Sequence, residues 1–580
     1  MTKGYLDCLV VGYNDVDLLG QVESLYHMRK HSGGYQNILT NTVSFDGRRH
    51  TYMSLLNRVL REAGQPDADL HVAKMPSLGA WYLFNYLVKN GYSADVINSF
   101  NHDRQILENY LRGDVKVIAI TTTFYLDVQP IKEIVEFVRS RNSTVKIVVG
   151  GPFIYNTWEA YEADRDALAM VLESIGADIY VVDSQGELTL TRVVSHFRND
   201  EFASETRVEA AGRKVRSNSL DAVVGVAPAA TRNLREIPNL IYFDGLELVV
   251  TRRQLESNDM NIFSIDYDNI PKSNYSPIAT TRTARSCAFS CAFCRYPIMA
   301  GPLNLVDIEV IKKQFDQFEK NGVKYVVVID DTFNVPLPRF KKLCEMIRDN
   351  NYTFQWFSYF RASNSDSTCY DLMADSNCGG VFLGIESGDQ EILNNMNKAA
   401  AVPKYIQAIK ELNSRGIITF ASIIVGFPGE TRSSVQNTIN FIEEAKPTYW
   451  RAELYYQMNK TPITHRADEF GIKGGGYSWS HNTMNWKEAV EHVNEMYKRI
   501  EGSLILPLYM FDFWCIPYLL SSGITKGQIH KFVSVAQEIL RKGIDAEEVV
   551  AAEYLPRLKQ IFQPNGDTAC SPQWSDRVNT

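Results

Sequence analysis

Three cysteines stand close together in the middle of the chain, in Cys287-Ala-Phe-Ser-Cys291-Ala-Phe-Cys294. Thiolates at this spacing let one loop wrap a single iron–sulfur cluster. Three thiolates for four irons leave one iron without a protein ligand, and that iron is an open site for a chelating small molecule. Two other readings fit the same residues. A structural zinc loop wants four ligands, usually in two pairs. No second Cys/His pair of suitable spacing follows, although Cys344, Cys369 and Cys378 stay available as a fourth ligand. The third reading is three unrelated buried thiols. The other cysteines, Cys8, Cys515 and Cys570, are scattered. An odd, scattered set in a large chain points to reduced thiols and a cytoplasmic location.

The elements around this loop fall into two α/β patterns. In the first 200 residues, strand signals LDCLVVG, SADVINSF, VKVIAITTT, VKIVVGG and ADIYVVDSQGE alternate with helical segments such as SLGAWYLFNYLVKNGY and QPIKEIVEFVRSRN. Alternation of this kind implies a parallel, doubly wound sheet, whose ligands sit beyond the carboxyl ends of the strands. An insertion rich in Gly, Asn, His and Tyr separates the first strand from its helix between residues 13 and 75. Residues 216–277 read as a connector with short strands. From 278 to 465 a second series follows, with strands in ATTRTAR, KYVVVIDD, FQWFSYFR, GVFLGIESG, ITFASIIVGFPGE and TYWRAELYY. Six βα units are too few for a full eight-fold barrel. Residues 466–580 read as mainly helical, a lid over the substrate.

The start, MTKGYLDCLVVGYND, reads as a first buried strand and not as a signal peptide. Leu504 to Leu520 is strongly apolar but short for a membrane span and contains Pro507, Asp512 and Pro517, so it is expected to be a buried or substrate-facing helical segment. Of 580 residues, 45% are hydrophobic and 22% charged, with a formal net charge of -8. This is globular composition, and its sign argues against a broad nucleic-acid footprint. No nucleic-acid or membrane partner is expected.

With these motifs in order, the chain resembles the radical S-adenosylmethionine superfamily. The resemblance rests on CxxxCxFC after a strand, Asp330-Asp331-Thr332 ending the second strand and Arg361 ending the third. It continues with Gly384-Ile-Glu386-Ser387-Gly388 on the fourth strand and Ile424-Val-Gly426-Phe-Pro-Gly-Glu430-Thr on the fifth. It implies a partial (βα)6 barrel in which Cys287, Cys291 and Cys294 hold a 4Fe-4S cluster. Phe293, Asp330, Asp331, Arg361, Glu386, Ser387 and Gly426 are then expected around S-adenosylmethionine. The family's usual Gly-Gly-Glu is replaced here by acids.

Residues 1–215 resemble the Rossmann-like cobalamin-binding domain that precedes many such barrels, with Thr121, Thr122 and Thr123, Gly150 and Gly151, and Ser184, Gly186 and Glu187 at the strand ends. The Asp-x-His-x-x-Gly motif of mutases and methionine synthase, whose His binds cobalt, is absent. Lys74-Met75-Pro76-Ser77-Leu78-Gly79 stands in its place, with Pro76 where the His would be. Proline has no metal-binding side chain, so the cobalt is expected without a protein histidine.

The resemblance implies a methyltransferase that uses one S-adenosylmethionine to methylate cobalamin and a second to make a 5′-deoxyadenosyl radical, with an external electron donor such as flavodoxin or ferredoxin. The Tyr/Asn-rich amino end and Trp479-Ser-His481-Asn-Thr-Met484 also resemble the phosphinate P-methyltransferases. A small-molecule or peptide substrate is expected, near Tyr477, Trp479, His481 and Trp514. Two alternatives stay open: a cobalamin-dependent rearrangement or ring closure without methyl transfer, and a non-catalytic cobalamin or redox sensor.

Overall fold

The structure is a computed structural model. It describes residues 4–14, 20, 31–123, 125, 127–183, 185–198, 233–256, 259–509, 511–545 and 549–563. Ser184 and Cys570 lie outside the described residues. The chain divides into two compact units, one made of Met1–Val16 and Ala73–Asn274, the other of Asp17–Val72 and Tyr275–Thr580.

The first unit is a doubly wound sheet. Its strands are β1 (Leu6–Tyr13), β2 (Ala94–Ser99), β3 (Val115–Thr121), β4 (Lys146–Gly150), β5 (Ile179–Val181), β6 (Leu240–Asp244) and β7 (Glu247–Val250), in the order β2-β1-β3-β4-β5-β6-β7. The first five in that order are parallel, and β6 and β7 add antiparallel. Alternate residues enter two separate cores. Leu9, Val11, Ile118, Ile120, Ile147 and Val149 pack on one face, and Cys8, Val10, Val117, Ala119 and Val148 on the other. Both faces are therefore covered, which is why these strands read as unbroken apolar runs. The helices Gln129–Arg139 and Arg165–Ile175 supply the first face. Leu78–Lys89 and Glu187–Phe197 supply the second. The strand order reverses direction between β1 and β3, which makes their carboxyl ends the switch point where ligands bind such sheets. The segment expected as a connector supplies β6 and β7, so the first unit runs on to Asn274.

The second unit holds seven parallel strands: β8 (Ile278–Thr281), β9 (Tyr325–Val328), β10 (Gln355–Phe360), β11 (Cys378–Glu386), β12 (Ile418–Val425), β13 (Tyr449–Leu454) and β14 (Leu504–Ile505). They pair in chain order. The six expected strands are all present. The seventh comes from the apolar run expected to be helical, of which only Cys515–Ser521 forms a helix. Tertiary partners decide this: the Leu506 N–H donates to the Trp450 carbonyl at 2.9 Å, and the Ile505 N–H to Gln537 Oε1 at 3.1 Å. Pro507 then has no N–H with which to continue. Beyond residue 466, helices Trp486–Arg499, Lys526–Ile544 and Ala551–Phe562 form as expected. A small sheet of Lys473–Gly475, Ser478–His481 and Met484–Asn485 joins them. No helix among the described residues is long and apolar enough to cross a membrane.

The insertion does not belong to the first unit, contrary to the boundary drawn from sequence. Its helices Gly33–Thr40 and Tyr52–Glu62 pack into the second unit. Asn37 Nδ2 donates to the hydroxyls of Tyr477 and Tyr509, each at 3.2 Å. Asn41 Oδ1 accepts from the Leu508 N–H at 2.8 Å. Tyr52 packs edge-on against Phe511 and Phe532.

Candidate active site

The cysteine loop leaves the carboxyl end of β8 and is fixed at both flanks. Fully buried Asp330 accepts through Oδ1 from the N–H groups of Thr283 and Ala284, at 2.6 and 3.0 Å, and through Oδ2 from the Thr283 hydroxyl at 2.5 Å. Arg339 completes this latch by donating to the Thr283 and Val306 carbonyls at 2.9 and 2.8 Å. At the other flank the Ala292 N–H donates to the Met396 carbonyl at 2.8 Å and its carbonyl accepts from Ile463 at 2.9 Å. Cys291 is buried, and Cys287 and Cys294 are partly open. Cys287 Sγ lies 3.7 Å from the Thr332 hydroxyl. Burial pushes the Cys294 thiol up to about 11, with its two sister cysteines adding to the effect against a backbone N–H that lowers it. Among the described residues no three His, Cys, Asp or Glu side chains converge as they would on one ion. Thiolates at different corners of a cube stand farther apart than ligands sharing one ion.

Arg361 supplies a positive charge beside the loop. Its guanidinium lies 3.5 Å from the centre of the Phe289 ring and 3.9 Å from Cys291 Sγ. It is held by the Lys398 carbonyl and by Ser363 Oγ. A cation at this position favours thiolate over thiol and stabilises an anionic cluster.

Next to this latch, Asp331 is free to bind. Its Oδ2 is buried without a hydrogen-bond partner. Burial pushes its carboxyl up to about 6, against the pull of Arg282. An orphaned carboxylate oxygen at the end of the second strand suits an amine. The two acids, expected alike as ligands, thus differ: both oxygens of Asp330 are occupied by the loop.

On β11, Glu386 has a positive φ of 67° and pairs with buried Lys398 at 2.8 Å. Burial opposes the Lys398 charge, but Glu386 overcomes it and the ammonium is held above its usual range. A Cβ on Gly384 would lie 2.6 Å from Glu386 Oε1, so only glycine leaves room for this pair. Ser387 instead turns to the helix Arg432–Ala445, where its hydroxyl meets Thr438 Oγ1 at 3.3 Å. Phe293 packs edge-on against Phe427, with ring centres 6.4 Å apart.

The turn after β12 depends on Gly426, whose φ is 94°. Its N–H donates to Glu430 Oε2. A Cβ there would meet the Trp479 ring at 2.3 Å. Trp479 donates to the Tyr455 carbonyl at 2.7 Å and stacks on His481, whose Nε2 meets the Gly426 carbonyl at 3.2 Å. These two residues, expected near the substrate, brace the Gly426 turn. Tyr477 binds Asn37. Trp514 packs on the barrel-strand side chains Tyr359 and Phe382.

Glu430 is fully buried, and burial pushes its carboxyl up to about 8, against the lowering effect of the Gly426 N–H. The folded state therefore keeps a proton that the unfolded chain, with a carboxyl near 4.5, has already lost. Stability from this group is full at low pH and declines as pH rises from about 4.5 through 8. The urea midpoint of the wild type should fall relative to Glu430→Gln across this range. A constant difference would contradict the assignment.

In the first unit the expected residues gather at the carboxyl edge. Thr121 Oγ1 donates to the Gly12 carbonyl at 2.9 Å and Thr122 Oγ1 to the Gly150 carbonyl at 2.8 Å. Both hydroxyls tie strand ends together, and only Thr123 is exposed. Gly151 has a φ of 106°, and a Cβ there would sit 3.0 Å from Thr122 Oγ1. Gly186 has a φ of 107° and caps the helix that begins at Glu187, which is itself buried. Buried Pro76 sits in a loop clamped by Asn98, which donates to the carbonyls of Ala73 and Met75, each at 2.9 Å. The bare glycine edge fits a bulky corrinoid, and Pro76 offers it no axial ligand.

Several residues of the second unit lay outside the sequence reading: Thr283, Phe289, Lys398, Arg451 and Glu453. The one signal available was Arg451 and Glu453 at alternate positions within an otherwise apolar strand. A surface hollow of about 390 Å³, lined by residues such as Lys473, Ser478, Trp479, Trp486 and Lys487, includes none of the cysteines.

Comparison with known proteins agrees with this geometry. The Radical SAM superfamily model matches residues 281–442, and the B12 binding domain model matches residues 72–179. An uncharacterized methyltransferase of Pyrococcus horikoshii is 24% identical over 429 residues, which is 71% of this chain and 81% of its own. In fold, the chain is similar to the cobalamin-dependent S-adenosylmethionine radical enzyme OxsB with aqua-cobalamin bound, at a TM-score of 0.54 and 13% identity, covering 84% of this chain and 77% of that one. It is similar too to the radical S-adenosylmethionine methyltransferase TsrM of Kitasatospora setae, at a TM-score of 0.50 and 17% identity over 70% of this chain and 74% of that one. The cofactors that go with the two domains are a 4Fe-4S cluster, S-adenosylmethionine and cobalamin. The chain thus carries a B12 binding domain, with the glycine-edged switch point, followed by a radical SAM domain, with the open acid beside the three-cysteine loop.

Proposed function

We propose that the protein is a methyltransferase acting on an unactivated carbon, or a phosphinate phosphorus, of a natural-product intermediate or a peptide. The observation that carries this reading is Pro76, buried in a clamped loop at the motif position where mutases carry histidine. With Pro76 at this position the chain would hold cobalamin without a protein imidazole, and the cofactor would then supply a readily transferable methyl group. The names of the Pyrococcus horikoshii relative and of TsrM, both methyltransferases, support it. When bound, cobalamin supplies the methyl group, and the cluster with S-adenosylmethionine supplies the radical that opens the acceptor atom.

The chain's own residues bind and orient. Cys287, Cys291 and Cys294 hold the cluster, with Arg361 as its neighbouring cation. The open oxygen of Asp331 receives the methionyl amine, Glu386 is held ready by Lys398, and the Gly426 turn flanks the adenine. Thr123, Gly150, Gly151 and Gly186 cradle the corrinoid tail. The protein works in the cytoplasm and draws electrons from a flavodoxin or ferredoxin.

The test is reduced, cofactor-loaded protein incubated with S-adenosylmethionine and metabolites of its neighbouring pathway. The expected products are 5′-deoxyadenosine and one methylated metabolite, with no resolved axial-nitrogen splitting in the cob(II)alamin resonance. Formation of 5′-deoxyadenosine with a rearranged, unmethylated product would overturn the reading.

A further inference from the structure

The sixth barrel strand carries two charged residues, Arg451 and Glu453, within an otherwise apolar run. Trp450 and Ala452 on β13 face the helix Trp486–Arg499, where Trp450 packs on Tyr497 and the Tyr497 hydroxyl donates to the Ala452 carbonyl at 3.0 Å. Arg451 and Glu453 therefore share the opposite face of the strand. Arg451 is only 7% exposed, and its guanidinium lies 5.5 Å from the ring centre of Phe382 and 5.3 Å from that of Phe420.

Arg451 and Glu453 form an ion pair, yet the pair is not aligned for hydrogen bonding. Nε and Nη1 of Arg451 and Oε1 of Glu453 all stay buried without a hydrogen-bond partner. Buried donors and acceptors are normally satisfied, and a buried guanidinium with unsatisfied donors is costly. A ligand that takes both groups at once would complete each of them.

The surroundings match such a ligand. Phe513 packs against Phe357, Phe382 and Phe420, closing the apolar side. Tyr477 and Tyr509 bring their hydroxyls together on Asn37, and the charge of Glu453 raises both phenols further above their usual range, after burial. Asp512 faces Arg451 as well, and burial pushes its carboxyl up. The site thus holds one cation, one paired carboxylate and a second carboxyl biased towards its neutral form. A plain anion would leave the Glu453 charge facing it, and a plain cation would face Arg451.

We propose that Arg451 and Glu453 are the substrate's polar anchor, and that the substrate carries a zwitterionic head: an oxyanion on the Arg451 fork and an amine on Glu453. The oxyanion is a carboxylate or a phosphorus oxyanion, both of which a guanidinium binds in bidentate fashion. The single misaligned contact is then replaced by two aligned ones with no change in net charge. This substrate class rests on the enzymatic reading above, but the binding step does not require turnover.

The experiment measures binding to the cofactor-loaded full chain by calorimetry. The probes are a panel of L-amino acids and their aminoalkylphosphinate counterparts, each with its decarboxylated amine and its N-acetyl derivative. At least one zwitterion should bind, and the two arms of the panel tell carboxylate from phosphorus oxyanion. Its amine and its N-acetyl derivative should each bind at least tenfold more weakly. Arg451→Met should abolish binding and Arg451→Lys, which keeps the charge and loses the fork, should weaken it about tenfold. Glu453→Gln should erase the preference for the free amine over the N-acetyl form. A panel without a binder, or unchanged affinity in Arg451→Lys and Glu453→Gln, overturns the anchor. A zwitterion that binds through Arg451 but is never methylated upholds the anchor and counts against methyl transfer alone.

Discussion

Alanine at any one of Cys287, Cys291 or Cys294 is expected to abolish the brown chromophore and all cleavage of S-adenosylmethionine. The loss should be complete because, among the described residues, no spare thiol is placed to substitute. Cys344 and Cys369 lie on the helices Leu337–Asp349 and Ser367–Asp375, and Cys378 starts β11 at its amino end. All three are buried, and burial pushes the Cys344 thiol up to about 12 and that of Cys369 to about 11. Thiols so disfavoured as thiolates are poor ligands, and the cysteine loop leaves from the opposite, carboxyl end of its strand. The same placement removes them as the fourth ligand of a zinc loop. Iron and sulfide content, the visible spectrum and 5′-deoxyadenosine formation are the readouts. A triple alanine variant that kept a full cluster would sink the assignment.

Replacing Asp330 by Ala should destabilise the protein by about 3–5 kcal/mol, the usual cost of breaking a buried charged network by removing one partner. Three donors, the N–H groups of Thr283 and Ala284 and the Thr283 hydroxyl, lose their acceptor in a place water does not reach. Arg339 is left as a positive charge beside them, without the carboxylate that offset it. Since these groups fix the entry to the cysteine loop, iron content after reconstitution should fall together with the urea midpoint. Asp331→Asn should behave oppositely. It should keep stability and iron, and raise the concentration of S-adenosylmethionine needed for half-maximal cleavage by tenfold or more. If the neighbouring variants gave the same profile, the division between latch and open acid would fail.

Much of this architecture was legible because it is periodic. A parallel strand covered on both faces is a short apolar run, and Leu9 to Val11 or Ile118 to Ile120 show it directly. The cysteine loop was legible for another reason: close spacing alone brings thiolates to one place. What sequence could not separate was adjacency from orientation. Asp330 and Asp331 are neighbours with opposite roles because one points into a loop and the other away from it. Trp479 and His481 look the same in sequence whether or not they brace a turn, and the missing Cβ of Gly426 shows the turn they brace. The first part of Leu504 to Leu520 failed as a helix because a continuous apolar run has no period from which to tell strand from helix. The insertion failed because its partners lie far along the chain.

That last feature bears on how the polypeptide is made. Asn37 emerges from the ribosome early, but its partner Tyr509 is 472 positions away. At roughly 5–20 residues per second, the wait is roughly 25–95 s. Throughout it, the stripe of Tyr52, Met53, Leu55, Leu56, Val59 and Leu60, all buried in the finished molecule, has nothing to pack against, and apolar surface left uncovered during synthesis invites aggregation. The amino-terminal sheet cannot simply close first and leave the rest to follow, because its own first strand is separated from the remainder by a segment that belongs elsewhere. Nascent chains of this protein should therefore depend on chaperones more than their ordinary composition suggests. Fragments cut at the boundary near residue 274 should stay insoluble unless residues 17–72 are excised from the amino-terminal piece and supplied to the other.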